Sequence, residues 1–172
     1  MLTYASLLSL LKFVTMTTKM STKTQIKSCK LLMLCTGNTC RSQMAHAMSE
    51  QWVQLNDKDI EIQSRGIRVQ AGEPTTAHAL GVLCKAQIKW HGRSQPLLEK
   101  DLQWADYVWG MTQEHLDIAI QVGRELHKTS RPCYQLLAGD KELSDPLNAG
   151  LERYEELFDT LGILLPKRLE EV

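Results

Sequence analysis

Two side chains near the start of the chain could do chemistry together. Cys35 and Arg41 bracket the loop Thr36-Gly37-Asn38-Thr39-Cys40, and Ser42 follows directly. A thiolate is a strong nucleophile, and a guanidinium is a planar fork that can hold two oxygens of a phosphate at once. Gly37 permits positive φ or a close backbone approach, and Asn38 also tolerates the left-handed region. Successive amide N–H groups can therefore turn inward as an anion nest. The helix expected after the loop adds its unpaired first-turn N–H groups and its dipole, which favour negative charge. A thiol beneath such a site is held as thiolate more readily than a free cysteine. The stretch is thus suited both to bind a dianion and to attack it, and the Ser42 hydroxyl could donate to the sulfur when it departs.

Such a loop needs a strand to deliver Cys35 and a helix to present Arg41. Leu31 to Leu34 is a continuous apolar run closed by polar turn residues, which predicts a parallel strand covered on both faces. Met44, Ala45, Ala47, Met48, Trp52 and Leu55 recur at helical spacing, so an amphipathic helix is expected over Ser42 to Leu55. Taken alone, Cys35 would read as an inert strand-end thiol and Arg41 as a surface residue. The Gly-Asn pair, the serine after the arginine and the strand–loop–helix setting favour the catalytic reading.

The rest of the chain supplies one domain around this unit. Its 172 residues can bury about 70% of the unfolded surface in a single core. Twenty basic and twenty acidic residues cancel, so no basic field points to nucleic acid and no basic helix to a membrane. The five scattered cysteines do not resemble a secreted disulfide framework, and a reducing cytoplasmic setting is expected. Residues 1–28 read as a disordered or over-extended lead-in, with 29–172 as the domain. Leu7, Leu8, Leu10, Leu11, Phe13 and Val14 form an apolar patch there, without the positive start or small-residue cleavage site of a signal peptide. A short membrane-surface helix is the less favoured option. Further strands are expected over Ile60–Ser64 and Tyr107–Trp109 and within Arg131–Leu137. Helices are expected over Thr76–Ala86, Leu97–Trp104, Met111–Val122 (capped by Thr112, with Glu114 nearby) and Leu151–Leu164, the last able to continue to Glu170. Alternating strands and helices predict an α/β fold with a parallel sheet, whose ligands bind at the carboxyl ends of the strands.

The segment Leu34-Cys-Thr-Gly-Asn-Thr-Cys-Arg-Ser42 resembles the active-site loop of the low-molecular-weight protein-tyrosine-phosphatase family. The similarity spans about residues 30 to 168, through Ser64-Arg-Gly-Ile67, His78-Ala-Leu80, His91-Gly-Arg-Ser94, Ala105-Asp-Tyr-Val-Trp-Gly-Met111 and Ser144-Asp-Pro146. It implies a three-layer α/β sandwich with a central four-stranded parallel sheet, of the phosphotyrosine protein phosphatase I type. It also implies hydrolysis of protein phosphotyrosine through a phosphocysteine, with Cys35 as nucleophile, Arg41 as phosphate clamp and Asp145 as acid and then base. Thr36, Gly37, Asn38, Thr39, Cys40 and Ser42 would form the substrate-binding loop. No metal or other cofactor is called for, because the arginine and the amides supply the positive charge. Pro146 biases Asp145 towards an extended backbone, which suits a side chain projecting from a loop, although Asp-Pro alone is an ordinary turn pair. In the family the cysteine matching Cys40 can form a disulfide with the nucleophile. A packed thiol is the equal alternative here.

The expected partner is a phosphorylated protein, with no nucleic acid or membrane, and the expected state is a monomer. Thr39 stands where tyrosine-specific members usually carry an aliphatic residue, and Leu147-Asn148-Ala149-Gly150 replaces the aromatics that usually follow Asp-Pro. Both features resemble the protein-arginine-phosphatase branch, which is the alternative substrate reading. Gln43, Arg65 and Arg68 depart from the family's proline, alanine and frequent aromatic; a cation at 68 would suit acidic phosphopeptides. An arsenate reductase would need two further cysteines close together, whereas Cys84 and Cys133 are far apart in sequence. A phosphate-binding pseudoenzyme is disfavoured by the intact Cys35, Arg41, Ser42 and Asp145. His46, His78, His91, His115 and His127 show no metal spacing and are expected to be structural or superficial. The tryptophans are expected to pack.

Overall fold

The computed structural model describes residues 28–124 and 131–172. The segment 1–27, with its apolar patch, and His127 lie outside the described residues. The elements are β1 (Cys29–Cys35), α1 (Arg41–Leu55), β2 (Ile60–Gly66), α2 (Ala77–Lys85), α3 (Glu99–Trp104), β3 (Tyr107–Gly110), α4 (Gln113–Val122), β4 (Cys133–Leu136) and α5 (Leu151–Leu169).

The four strands form one parallel sheet in the order β2-β1-β3-β4. β1 lies in its interior, which is why its sequence is apolar without alternation. Successive side chains of a strand point to opposite faces, and β1 accordingly feeds two cores. Leu31, Met33 and Cys35 join Met44, Leu83, Trp109, Leu161 and Leu165 on the side of α1, α2 and α5. Leu32 and Leu34 join Leu102, Val108, Leu116 and Ala119 on the side of α3 and α4. The result is the expected three-layer sandwich. The tryptophans pack as expected: Trp109 is fully enclosed, Trp52 and Trp90 rest on the first core and Trp104 on the second.

Helix α5 runs through Pro166 to Leu169, the continuation past Leu164 towards Glu170 that the sequence allowed. Leu161, Leu165 and Leu169 form one buried stripe, so packing outweighs the lost backbone donor near the helix end. Thr112 does cap α4, but its partner is His115, whose Nδ1 accepts the Thr112 backbone N–H at 2.9 Å. Glu114 instead turns outward and pairs with Arg68.

The parallel register sets Cys35 beside Gly66. Beyond that point the chain leaving β2 hugs the loop leaving β1: the Ile67 N–H donates to the Cys35 carbonyl and the Arg68 N–H to the Thr36 carbonyl, both at 3.0 Å. A Cβ on Gly66 would sit 2.6 Å from the Thr36 carbonyl oxygen and 2.2 Å from a Val69 methyl, so this close approach requires glycine.

Candidate active site

Cys35 is the last residue of β1 and is 2% exposed. The chain then turns under its sulfur: Asn38 adopts φ 51°, and its backbone N–H donates to Cys35 Sγ at 3.2 Å. Asn38 is itself buried, and its side chain ties the loop together. Oδ1 accepts the Gln95 N–H at 2.8 Å, which orients the amide. Nδ2 then donates to Ser42 Oγ at 2.9 Å and to Ser64 Oγ at 3.1 Å. Because Ser42 Oγ accepts from Asn38, its own proton is free to point at Cys35 Sγ, 2.9 Å away. The loop thus places the serine hydroxyl that the sequence suggested within donating distance of the sulfur.

Arg41 opens α1 and is 3% exposed. Nη1 donates to the Leu143 carbonyl at 3.1 Å, and Nη2 donates to Thr36 Oγ1 at 3.1 Å and to Asp145 Oδ2. Asp145 reaches the site from a loop anchored by the Leu143 N–H on the Met111 carbonyl, just past β3, at 2.8 Å. Its other oxygen accepts the Leu147 N–H at 3.1 Å, closing a local turn behind Pro146. Asp145, 104 residues beyond Arg41 in the chain, therefore joins the Cys35–Arg41 loop at the carboxyl end of the sheet. Thr36 and Asn38 are bonded into the same network, Gly37 and Thr39 complete the turn half-buried, and Cys40 is enclosed beneath it.

Cys40 behaves as a packed thiol. Burial, Asp145 and Cys35 together push it up to about 12, and Tyr154 lies against it. Both Cys35 and Cys40 are free thiols in the structure. The other cysteines are remote from the loop: Cys29 starts β1, and Cys133 starts β4 at the level of Leu31. That level is roughly 13 Å below Cys35 at about 3.3 Å per residue. Cys84 is exposed near the far end of α2. No relay of neighbouring cysteines of the arsenate-reductase kind forms among the described residues.

The three departures have local explanations. Gln43 is enclosed, accepting from Trp90 Nε1 at 2.7 Å and donating to the Arg93 carbonyl at 3.3 Å, so its amide is matched rather than orphaned. Arg65 points into the opposite layer, where it pairs with the enclosed Asp101 at 2.9 Å. Arg68 stays at the rim, 62% exposed, paired with Glu114 at 2.5 Å.

Among the described residues the histidines are dispersed. His46 touches Ser64 and Glu50, and His78 packs edge-on against Tyr154. His115 is the exception that sequence reasoning passed over. It is 1% exposed, and its Nε2 lies 3.1 Å from Thr36 Oγ1 in the loop itself. The available signal was the Thr-x-x-His spacing at the start of α4, a cap pattern with histidine where glutamate is usual. No helix among the described residues is long and apolar enough to cross a membrane. A cleft of about 770 Å³ lies between residues 138–149 and α5, with Asp145 among the residues that line it.

Residues 30–172 match the family model of the low molecular weight phosphotyrosine protein phosphatase. The chain is 32% identical over 144 residues to the protein-arginine-phosphatase of Geobacillus stearothermophilus, covering 83% of this chain and 95% of that protein. It is 28% identical over 140 residues to the low molecular weight protein-tyrosine-phosphatase PtpB of Staphylococcus epidermidis, covering 80% of this chain and 95% of that one. The solved low molecular weight protein tyrosine phosphatase of T. tengcongensis superimposes with a TM-score of 0.77 at 29% identity, covering 84% of this chain and all of that one.

Proposed function

The chain belongs to the low molecular weight phosphotyrosine protein phosphatase family, and from that premise we propose that it hydrolyses protein phosphotyrosine with Cys35, Arg41 and Asp145 as its chemical groups. The observation that carries the assignment is the connected geometry of the loop. The Ser42 hydroxyl lies 2.9 Å from the sulfur, and one guanidinium is shared between the loop and the aspartate.

The steps follow from that geometry. The phosphate dianion enters above Cys35 and takes Arg41 Nη2 from Asp145, while loop amides and the first turn of α1 hold the remaining oxygens. The thiolate attacks phosphorus in line, forming the S–P bond as the bond to the leaving atom breaks. Asp145, released from Arg41 and protonated, gives its proton to that atom. Asp145 then takes a proton from a water that attacks the phosphocysteine, and the S–P bond breaks. The departing sulfur is stabilised by the Ser42 O–H and the Asn38 N–H. The arginine and the amides neutralise the charge throughout.

One observation favours a second reading, protein phosphoarginine. Thr39 is half-buried in the loop beside Gly37, and the residue following Asp145-Pro146 is an exposed leucine rather than an aromatic wall. A hydroxyl at that point suits a polar phosphoguanidinium better than a phenyl ring. The relative named protein-arginine-phosphatase supports it as well. Initial rates on matched phosphotyrosine and phosphoarginine peptides decide between the two, with wild type, Cys35→Ser and Thr39→Ile compared. Phosphotyrosine turnover indifferent to Thr39 supports the first reading, and a phosphoarginine preference reversed by Thr39→Ile supports the second. Binding without turnover of either peptide by the wild type would overturn both. Cys35→Ser should abolish turnover while phosphate binding persists.

A further inference from the structure

His115 spends both ring nitrogens inside the protein, and what it grips is the phosphate loop. It occupies the third position of α4 and is enclosed on all sides. The Thr112 backbone N–H donates to Nδ1 at 2.9 Å, so a neutral ring carries its proton on Nε2. Nε2 faces Thr36 Oγ1 at 3.1 Å. The ring is neutral at ordinary pH: burial and the Arg41 charge pull it down to about 4, against the opposing pull of Glu114, Asp145 and Glu142. Its N–H is therefore the donor and the Thr36 hydroxyl the acceptor. The same oxygen accepts Arg41 Nη2–H at 3.1 Å. With both lone pairs of Thr36 committed, the hydroxyl cannot turn away, and the guanidinium keeps one neutral anchor whichever anion occupies its other edge.

We propose that His115 is a positioning residue for Arg41, acting through Thr36, so that the guanidinium holds its plane when phosphate replaces Asp145. The inference rests on the reading of Arg41 as phosphate clamp. A purely structural role would be confined to the cap on α4, and the two roles use different nitrogens. Asparagine can reproduce the Nδ1 acceptor but is too short to reach Thr36. Glutamine can reproduce the Nε2 donor but gives up the cap.

The test compares wild type, His115→Asn, His115→Gln, Thr36→Val and the double variant His115→Asn/Thr36→Val. Three quantities are read: kcat/KM on the better peptide, inhibition by inorganic phosphate, and thermal midpoint. His115→Asn should keep a thermal midpoint near wild type yet lose about tenfold in kcat/KM and in phosphate affinity, the upper end for one neutral hydrogen bond. His115→Gln should recover most of that loss while melting earlier. Thr36→Val should match His115→Asn, and the double variant should be no worse than either single one. The proposal is overturned if His115→Asn keeps wild-type activity and phosphate affinity, or if its loss multiplies with that of Thr36→Val. Calorimetric titration with inorganic phosphate reads the same coupling without turnover. A wild type that bound no phosphate would instead sink the clamp reading itself.

Discussion

Asn38 gives the sharpest stability and activity forecast, because one buried side chain fixes the nucleophile's surroundings. Replacing it with alanine removes three side-chain hydrogen bonds, to Gln95, Ser42 and Ser64. At about 1 kcal/mol net for each bond, this costs about 3 kcal/mol. Alanine must also adopt the φ of 51° held here by Asn38, adding about 1 kcal/mol. The sum of about 4 kcal/mol is a large share of the roughly 5–15 kcal/mol that keeps a domain folded, and corresponds to a thermal midpoint lower by about 8–16 °C. Glycine at the same site loses the bonds but not the backbone freedom, and should be about 1 kcal/mol better than alanine. Both variants release the Ser42 hydroxyl from its orientation towards Cys35, so kcat should fall by one to two orders of magnitude in each. Guanidinium denaturation with an unchanged m-value, alongside initial rates, measures all three numbers. If alanine and glycine variants are equally stable and each loses under about 1 kcal/mol, the network does not hold the loop as argued here.

Arg65→Ala, although it restores the family residue, should cost roughly 3 kcal/mol by leaving Asp101 buried without its cation, measured by denaturant unfolding; a loss under about 0.5 kcal/mol would place Asp101 in contact with water. Asp145→Ala should slow substrates with poor leaving groups far more than those with good ones, and equal slowing would remove Asp145 from the acid role. His115 binds its proton more weakly folded, at about 4, than unfolded, at about 6.5. The unfolded chain therefore takes up more protons between those values, and stability should fall by up to about 3 kcal/mol as pH drops from 6.5 to 4. His115→Gln should flatten that slope, and an unchanged slope would show that other groups carry it. Iodoacetamide at neutral pH should label the exposed Cys84 and Cys133 and spare the buried Cys40, whose thiol is pushed up to about 12; mass spectrometry showing Cys40 modified at the rate of Cys84 would refute its enclosure.

What the sequence disclosed and what it hid divide along a physical line. The strand, loop and first helix were legible because local patterning specifies them: an unbroken apolar run, turn formers, then a change to helical periodicity. Cys35, Arg41 and Ser42 follow from their spacing together with the Gly-Asn pair and the strand–loop–helix setting. Asp145 lies 104 residues beyond Arg41 in the chain; Pro146 beside it gives only the weak signal of an ordinary turn pair, so its role was legible through the resemblance. The link from His115 to Thr36 spans 79 residues and depends on how β3 and β1 pair, which no window of sequence reports. Gln43 and Arg65 looked like departures because their partners, Trp90 and Asp101, arrive from other parts of the fold.

The partners of Arg41 explain how one residue can serve two anions in turn. Two of its contacts are neutral oxygens, the Leu143 carbonyl and the Thr36 hydroxyl, both held by bonds elsewhere in the fold. These do not leave when substrate arrives, so they set the plane of the fork without competing for its charge. The charged partner is Asp145, on a loop with its side chain 39% exposed. A phosphate dianion outcompetes a single carboxylate for the same edge, and on the proposed mechanism the aspartate it displaces is the acid at the leaving atom. Binding and acid catalysis are then coupled through one guanidinium. Weakening the neutral anchors should therefore damage phosphate binding and leaving-group protonation together, whereas removing Asp145 should damage only the second.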